Sequence, residues 1–324
     1  MARTIAEAGG EHALIAAIAA GCHRPDVLLG PGDDAAIVRP AGRPLVVTTD
    51  MLVEGDHFTP AWCPAEHVGI KAAASSLSDV AAMGASPCWA VVSMCLRPET
   101  EASWVEGVET GLCDELRGAG ADLVGGDLTH GPLVVISVAL VGELAGSRPL
   151  CRSGARPGDR IWVTGPLGGA RAGLRALQEG VTGYPDLARR HTAPRARTDL
   201  VPALLEVASA AIDVSDGLAS EVSHLCREGG VGAVVRAAAV PLDERTRRLA
   251  ARLGEDPLLY ALGGGEDLEI LFTAPDSEAA RAIAVEVGEI TSSGEALLDR
   301  GGRLVPLDGL GYDHFAPSPA RFRV

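Results

Sequence analysis

Six short motifs set carboxylates beside glycine or hydroxyl residues: Gly32-Asp33-Asp34, Thr48-Thr49-Asp50, Ser78-Asp79, Gly125-Gly126-Asp127, Asp213-Val214-Ser215-Asp216-Gly217 and Gly264-Gly265-Glu266-Asp267. Several close apolar runs that read as strands, and strand ends are where open α/β sheets bind ligands. One such acid alone is a turn residue or a helix cap. Six in order call for a shared role. Hard oxygens of this kind suit Mg²⁺, which takes one or two carboxylates and leaves its other positions to water and phosphate. Acids alone would repel a polyphosphate, and only Arg152 and Lys71 stand out as cations near the motifs. The pattern therefore points to several bridging metal ions and to chemistry on a phosphate ester.

Other chemistries are closed off. Among the 28 Lys and Arg residues, Lys71 is the only lysine, and it follows Ile70 rather than glycine, so there is no P-loop. A Schiff-base enzyme would need that same lysine, which lies in an Ala-rich helical pattern where a snorkelling stem is expected. Residues 30–35 fit G-x-G-x-x-A formally, but 35–39 reads as a strand stopped by Pro40, leaving no helix N-terminus for a pyrophosphate. A net charge of −15 and a pI near 4.9 argue against nucleic acid. The seven cysteines lie singly, which suits buried thiols in a reducing, cytoplasmic setting rather than disulfides or a zinc site. The stretch 133–142 is too short for a bilayer and runs into Glu143, and the first residues carry an early acid and no signal-like flank.

The elements that must position these acids read as alternating strands and helices. Strands are expected at 46–49, 89–96, 133–144, 161–164, 211–214 and 268–273. Helices are expected at 67–83, 102–116, 170–178, 218–226 and 278–287. Trp89 and Trp162 fall in apolar strands and read as core. The glycines of 125–126 and 263–265 read as places where backbone approaches a ligand. A length of 324 residues suits two domains. A Gly, Pro, Ser and Arg cluster at 145–159 marks the boundary, giving 1–148 and 149–324, each α/β or α+β. The last residues, 316–324, read as a loose tail.

The motifs in order resemble the thiamine-monophosphate kinase family of the aminoimidazole-ribonucleotide synthetase-like superfamily. The likeness runs from Gly30-Pro-Gly-Asp-Asp-Ala through Thr48-Thr-Asp, Glu54-Gly-Asp-His57-Phe58 and Leu77-Ser-Asp-Val-Ala-Ala-Met-Gly84. It continues through Gly125-Gly-Asp, Arg152-Ser-Gly-Ala-Arg-Pro-Gly-Asp159, Ile212-Asp-Val-Ser-Asp-Gly-Leu218, Gly264-Gly-Glu-Asp267 and Gly311-Tyr-Asp-His-Phe315. The resemblance implies ATP-dependent phosphorylation of thiamine monophosphate to thiamine diphosphate by direct in-line transfer, with several Mg²⁺ ions. It implies metal ligands at Asp34, Thr48, Thr49, Asp50, Asp79, Asp127, Asp213 and Asp216, with Asp127 and Asp216 as the catalytic pair. ATP contacts are implied at Gly126, Asp127, Arg152 and Ser215, and thiamine monophosphate contacts at His57, Glu266 and Tyr312. It further implies a two-domain fold in a homodimer, whose N-terminal sheets pair into a barrel, with a C-terminal α/β domain.

Ser76 stands where relatives commonly carry Asn, and Leu128 where Thr is usual. Within the superfamily, a selenophosphate synthetase would need an early lysine, and a hydrogenase-maturation dehydratase a C-terminal cysteine. Neither is present in this sequence. Aminoimidazole-ribonucleotide synthetase is the nearest enzyme rival, disfavoured by Gly311-Tyr-Asp-His-Phe315. A non-catalytic nucleotide sensor on the same fold is the alternative of a different class.

Overall fold

The computed structural model describes residues 25–29, 37–38, 40–307 and 309–312. The chain divides into two compact units. One holds the described residues up to Ala81 together with Ala85–Ser147; the other holds Ala82–Gly84 and the described residues from Arg148 onward.

In the first unit, β1 (Val27–Leu29) and β2 (Ile37–Val38) form a small antiparallel ladder. The main sheet is built from β3 (Leu45–Val53), β4 (Ala85–Leu96), β5 (Asp122–His130) and β6 (Val135–Leu144), in the order β3-β6-β4-β5. Two helices accompany it, α1 (Ala65–Ala82) and α2 (Ala102–Gly118). The parallel pair β4 and β5 is joined through α2, as a parallel crossover requires. Alternate residues of β6 are buried, namely Ile136, Val138, Leu140 and Leu144, so one face of the sheet is core. The opposite face leaves Leu45, Val47, Met51 and Val91 exposed, with Val47 at 70%.

The second unit is a seven-stranded sheet. Its strands are β7 (Arg160–Val163), β8 (Ala210–Asp213), β9 (Gly232–Arg236), β10 (Ile270–Ala274), β11 (Val285–Thr291), β12 (Ala296–Asp299) and β13 (Leu304–Pro306). The order is β13-β12-β9-β11-β7-β10-β8, antiparallel throughout except for β12 with β9. Its helices are α3 (Gly169–Gln178), α4 (Pro185–Thr192), α5 (Val201–Val207), α6 (Leu218–Gly229), α7 (Glu244–Leu253), α8 (Pro257–Gly263) and α9 (Glu278–Ile283). On one face, Leu218, Val222 and Leu225 of α6 share a core with Ile161, Val163, Ile212 and Leu271. On the other strand parity, Trp162 and its register partner Phe272 stack at 6.4 Å, both buried. Trp89 is buried as well, so Trp89 and Trp162 are both core, as their apolar strands predict.

The expected helix over 278–287 is half right. α9 ends at Ile283 and the chain turns into β11 at Val285. Val285, Val287 and the β-branched end of this segment favour a strand, and pairing with β7 and β9 on both sides overrides the local helical spacing. Helices α4, α5, α7 and α8 are not among the expected elements: all four are short, and α4 and α7 carry few apolar residues, although α7 buries Thr246, Leu249 and Ala250 on one face. Asp243 and Asp256 cap α7 and α8 by accepting from Thr246 N (2.7 Å) and Leu258 N (2.9 Å).

Candidate active site

In the first unit, strand alternation sorts the predicted acids. Thr48 and Asp50 lie on the same parity of β3, and α1 passes over them with Ser76 and Asp79. Thr48 Oγ1 donates to Asp79 Oδ2 at 2.5 Å, and Ser76 Oγ lies 3.3 Å from Asp50 Oδ2 and 3.2 Å from the Val138 carbonyl. Burial, together with the neighbouring charge of Asp79, pushes the Asp50 carboxyl up to about 6, against the pull of Ser76. Two adjoining carboxylates and a hydroxyl, short of positive charge, make a donor set of hard oxygens that fits a divalent cation. Thr49 has the opposite parity, with Oγ1 3.4 Å from Ser137 Oγ on the open face. Asp127 pairs in register with Ser93, which pairs with Ser137, so it shares that open face and is exposed. The structure thus groups Thr48, Asp50 and Asp79, and sets Thr49 and Asp127 apart from them. Asp34 lies outside the described residues, and among those described no three His, Cys, Asp or Glu side chains converge to hold a metal ion.

Gly125, Gly126 and Asp127 lie within β5 rather than in a turn. A Cβ on Gly126 would run into the Val92 carbonyl, so the glycine serves the close approach of β4.

His57 sits in a braced loop. Its Nδ1 accepts from Val53 N at 3.1 Å, which puts the ring proton on Nε2. Lys71 is 1% exposed, and its Nζ donates to the His57 carbonyl at 2.7 Å. The ammonium of the only lysine is therefore buried under the loop, not carried to solvent on a snorkelling stem, because a backbone acceptor meets it there. Glu54 takes both Arg97 Nη1, at 2.6 Å to each oxygen, and Val134 N at 3.0 Å. Burial opposes the charge of Glu54, but the Arg97 and Val134 hydrogen bonds outweigh it and hold the carboxyl below its usual range.

In the second unit, Asp213 is the last residue of β8, as the strand-end pattern predicts, and is buried. The loop to α6 carries exposed Ser215 and half-buried Asp216. It turns at Gly217, whose φ of 106° no ordinary side chain favours; a Cβ there would lie 2.6 Å from the Leu262 carbonyl. Glu221 reaches back from the first turns of α6. Its Oε1 accepts from Asp216 N at 2.8 Å and Ser215 N at 3.1 Å. Burial raises the Glu221 pKa well above the usual range, and the charges of Asp216 and Asp213 add to this.

The segment after α8 is strained. Glu266 and Leu268 adopt φ of 60° and 51°, and their N–H groups donate to Ser215 O (2.8 Å) and Val214 O (3.0 Å). The Glu266 carboxylate lies 3.0 Å from His191 Nδ1. Asp267 accepts from Gly168 N at 2.5 Å and Ala170 N at 3.0 Å, while burial pushes it up to about 7. Tyr312 is 40% exposed, and its N–H donates to the Asp216 carbonyl at 3.0 Å. Arg152 is exposed in a 3₁₀ turn, residues Arg152–Gly154. A cavity of about 300 Å³ beside Asp267 and Glu269 is lined by Arg189, Arg190, Arg195 and Arg197. Arg190 is engaged by Asp243, and Arg197 by Glu269 and Asp199, so the cavity is largely walled by ion pairs.

Comparison with known proteins places this geometry. Residues 32–144 match the AIR synthase related protein N-terminal domain, and residues 156–303 match its C-terminal domain. The thiamine-monophosphate kinase of Escherichia coli K12 is 40% identical over 309 residues, covering 90% of this chain and 94% of that protein. The chain belongs to the thiamine-monophosphate kinase family. The Aquifex aeolicus member is 36% identical, over 88% of this chain and 92% of that one. The solved structure of thiamine-monophosphate kinase from Stenotrophomonas maltophilia superposes with a TM-score of 0.80 at 36% identity, covering 88% and 95% of the two chains. AaThiL complexed with AMPPCP and TMP gives 0.79 at 35% identity, over 94% and 97%. The mixed α/β two-domain architecture expected from the resemblance is that of this family. Sequence reasoning missed Glu221 and His191. Glu221 had a visible signal, an acid in the first turns of the helix that follows the Asp-x-Ser-Asp-Gly loop; His191 had none.

Proposed function

We propose that the protein transfers the γ-phosphoryl group of ATP to the phosphate of thiamine monophosphate, giving thiamine diphosphate. Membership of the family, with near-complete coverage at 40% identity, carries this reading. An ionised phosphate oxygen is already nucleophilic, so the site needs positioning and charge neutralisation rather than a strong base. Transfer is in line and direct. Thr48, Asp50 and Asp79 form one group of Mg²⁺ ligands, and Asp213 and Asp216 another, with Asp34, Thr49 and Asp127 completing the set. The bound metal supplies charge neutralisation along the phosphates. Gly126, Asp127, Arg152 and Ser215 contact ATP. His57, with its Nε2 proton, Glu266 and Tyr312 contact thiamine monophosphate, and the Tyr312 ring suits a cationic thiazolium.

The protein acts as a homodimer. The exposed apolar row Leu45, Val47, Met51 and Val91 on an uncovered sheet face supports pairing of two such sheets into a barrel. Among the described residues no helix is long and apolar enough to cross a membrane; the seven singly spaced cysteines, with no Cys-x-x-Cys, support a cytoplasmic setting. The domain limits 1–148 and 149–324 divide a metal-binding, dimer-forming part from the C-terminal α/β part.

The test is chromatographic detection of thiamine diphosphate after incubation with ATP, Mg²⁺ and thiamine monophosphate, with thiamine and aminoimidazole precursors as control substrates. Product from thiamine monophosphate alone, abolished by EDTA and restored by Mg²⁺, is expected. Turnover of an aminoimidazole precursor instead, or ATP binding without ADP release, would overturn the reading.

A further inference from the structure

We infer that Glu221 is a positioning residue for the reaction, holding Ser215 and Asp216 in place from inside the fold. The inference rests on the kinase reading above and adds a residue to it. The N–H groups of a loop entering a helix ordinarily point outward and receive an anion. Here the helix supplies its own acceptor. The Glu221 side chain is 1% exposed and its Oε1 accepts from both Ser215 N and Asp216 N, at 3.1 and 2.8 Å. Its Oε2 is buried with no hydrogen-bond partner among the described residues. A buried carboxylate oxygen left unpaired is costly, and its position is set by the work of the other oxygen.

The consequence is directional. With both amides turned inward onto Glu221, the loop leaves Ser215 exposed and Asp216 half-buried, and the Ser215 hydroxyl, 3.5 Å from the same Oε1, donates to it as well. The other supports of the loop reach its carbonyls: Ser215 O accepts from Glu266 N at 2.8 Å and Asp216 O from Tyr312 N at 3.0 Å. Glu221 is therefore the group that fixes the amide side of the two peptide units between Val214 and Asp216. Its removal frees those units to rotate, and a displacement of about 1 Å at Asp216 is enough to cost about a hundredfold in rate.

The experiment compares Glu221→Ala, Glu221→Asp and Glu221→Gln with the parent protein. Gln keeps the accepting oxygen at the same reach, Asp is one methylene short, and Ala has no acceptor. The expected result is a fall of about 10- to 100-fold in kcat/KM for ATP in the Ala and Asp variants, with KM for thiamine monophosphate little changed. The Gln variant should stay within about threefold of the parent. Hydrogen exchange of the peptide spanning 214–217 should quicken in the Ala and Asp variants only, in the absence of any ligand. Parent-like kinetics and exchange in the Ala variant would overturn the inference, and so would a Gln variant as impaired as Ala. A parent protein that makes no thiamine diphosphate would refute the kinase reading and with it the catalytic part of the inference. The exchange data would then still show whether Glu221 pins the loop.

Discussion

Replacing Asp50 by Asn should stabilise the metal-free protein at neutral pH while weakening its response to Mg²⁺. Asp50 is held beside Asp79 under α1, and its carboxyl is raised from 3.8 to about 6. That difference corresponds to about 3 kcal/mol between the charged and neutral forms. The folded chain binds the proton more tightly than the unfolded chain, so stability falls as pH rises from about 4 to about 6 and stays low above that window. Asn carries no charge and still offers an oxygen to Ser76. In EDTA, urea unfolding should therefore find Asp50→Asn close to the parent near pH 4, and about 1–3 kcal/mol more stable above pH 6. Added Mg²⁺ should stabilise the parent more than the variant, which keeps the Asp213 and Asp216 group. A variant no more stable than the parent at neutral pH in EDTA, or equally stabilised by Mg²⁺, would refute the reasoning.

Val47→Asp places a charge in the centre of the exposed row on β3 and should convert the proposed dimer to a monomer, read by light scattering of parent and variant. Glu54→Ala leaves Arg97 and Val134 N without their acceptor; denaturation should show a loss of about 1–3 kcal/mol, and KM for thiamine monophosphate should rise as the His57 loop loosens. Glu266→Gly relieves a left-handed backbone that costs about 1–2 kcal/mol, offset by the entropy of a freer unfolded chain. Its stability should stay within about 1 kcal/mol of the parent, while steady-state kinetics show KM for thiamine monophosphate rising about tenfold or more.

The parts legible in sequence are those with a local cause. Strand β4, helix α2, the burial of Trp89 and Trp162 and the Asp213 strand end follow from period, apolar pattern and turn residues, whereas β5 escapes that reading because its Gly125-Gly126-Asp127 centre interrupts the apolar alternation. The β11 strand was hidden because its pairing with β7 and β9 comes from residues far away in the chain. The parity that separates Thr49 from Thr48 and Asp50 follows once the strand is known to run through all three, and that extent was underestimated at 46–49. The buried ammonium of Lys71 depends on a loop that ends at its acceptor, His57, fourteen residues earlier, and no local rule places it there. His191 meets Glu266 only through tertiary packing.

The most direct test of the central claim is single-turnover transfer from γ-labelled ATP to thiamine monophosphate by the parent protein, Asp127→Asn and Asp216→Asn in the presence of Mg²⁺. The account predicts label in thiamine diphosphate, none retained on the protein, and a loss of about a hundredfold or more in each variant. Label held covalently by the protein would contradict direct transfer. Unaltered transfer in both variants would contradict the assignment of the reaction to these carboxylates.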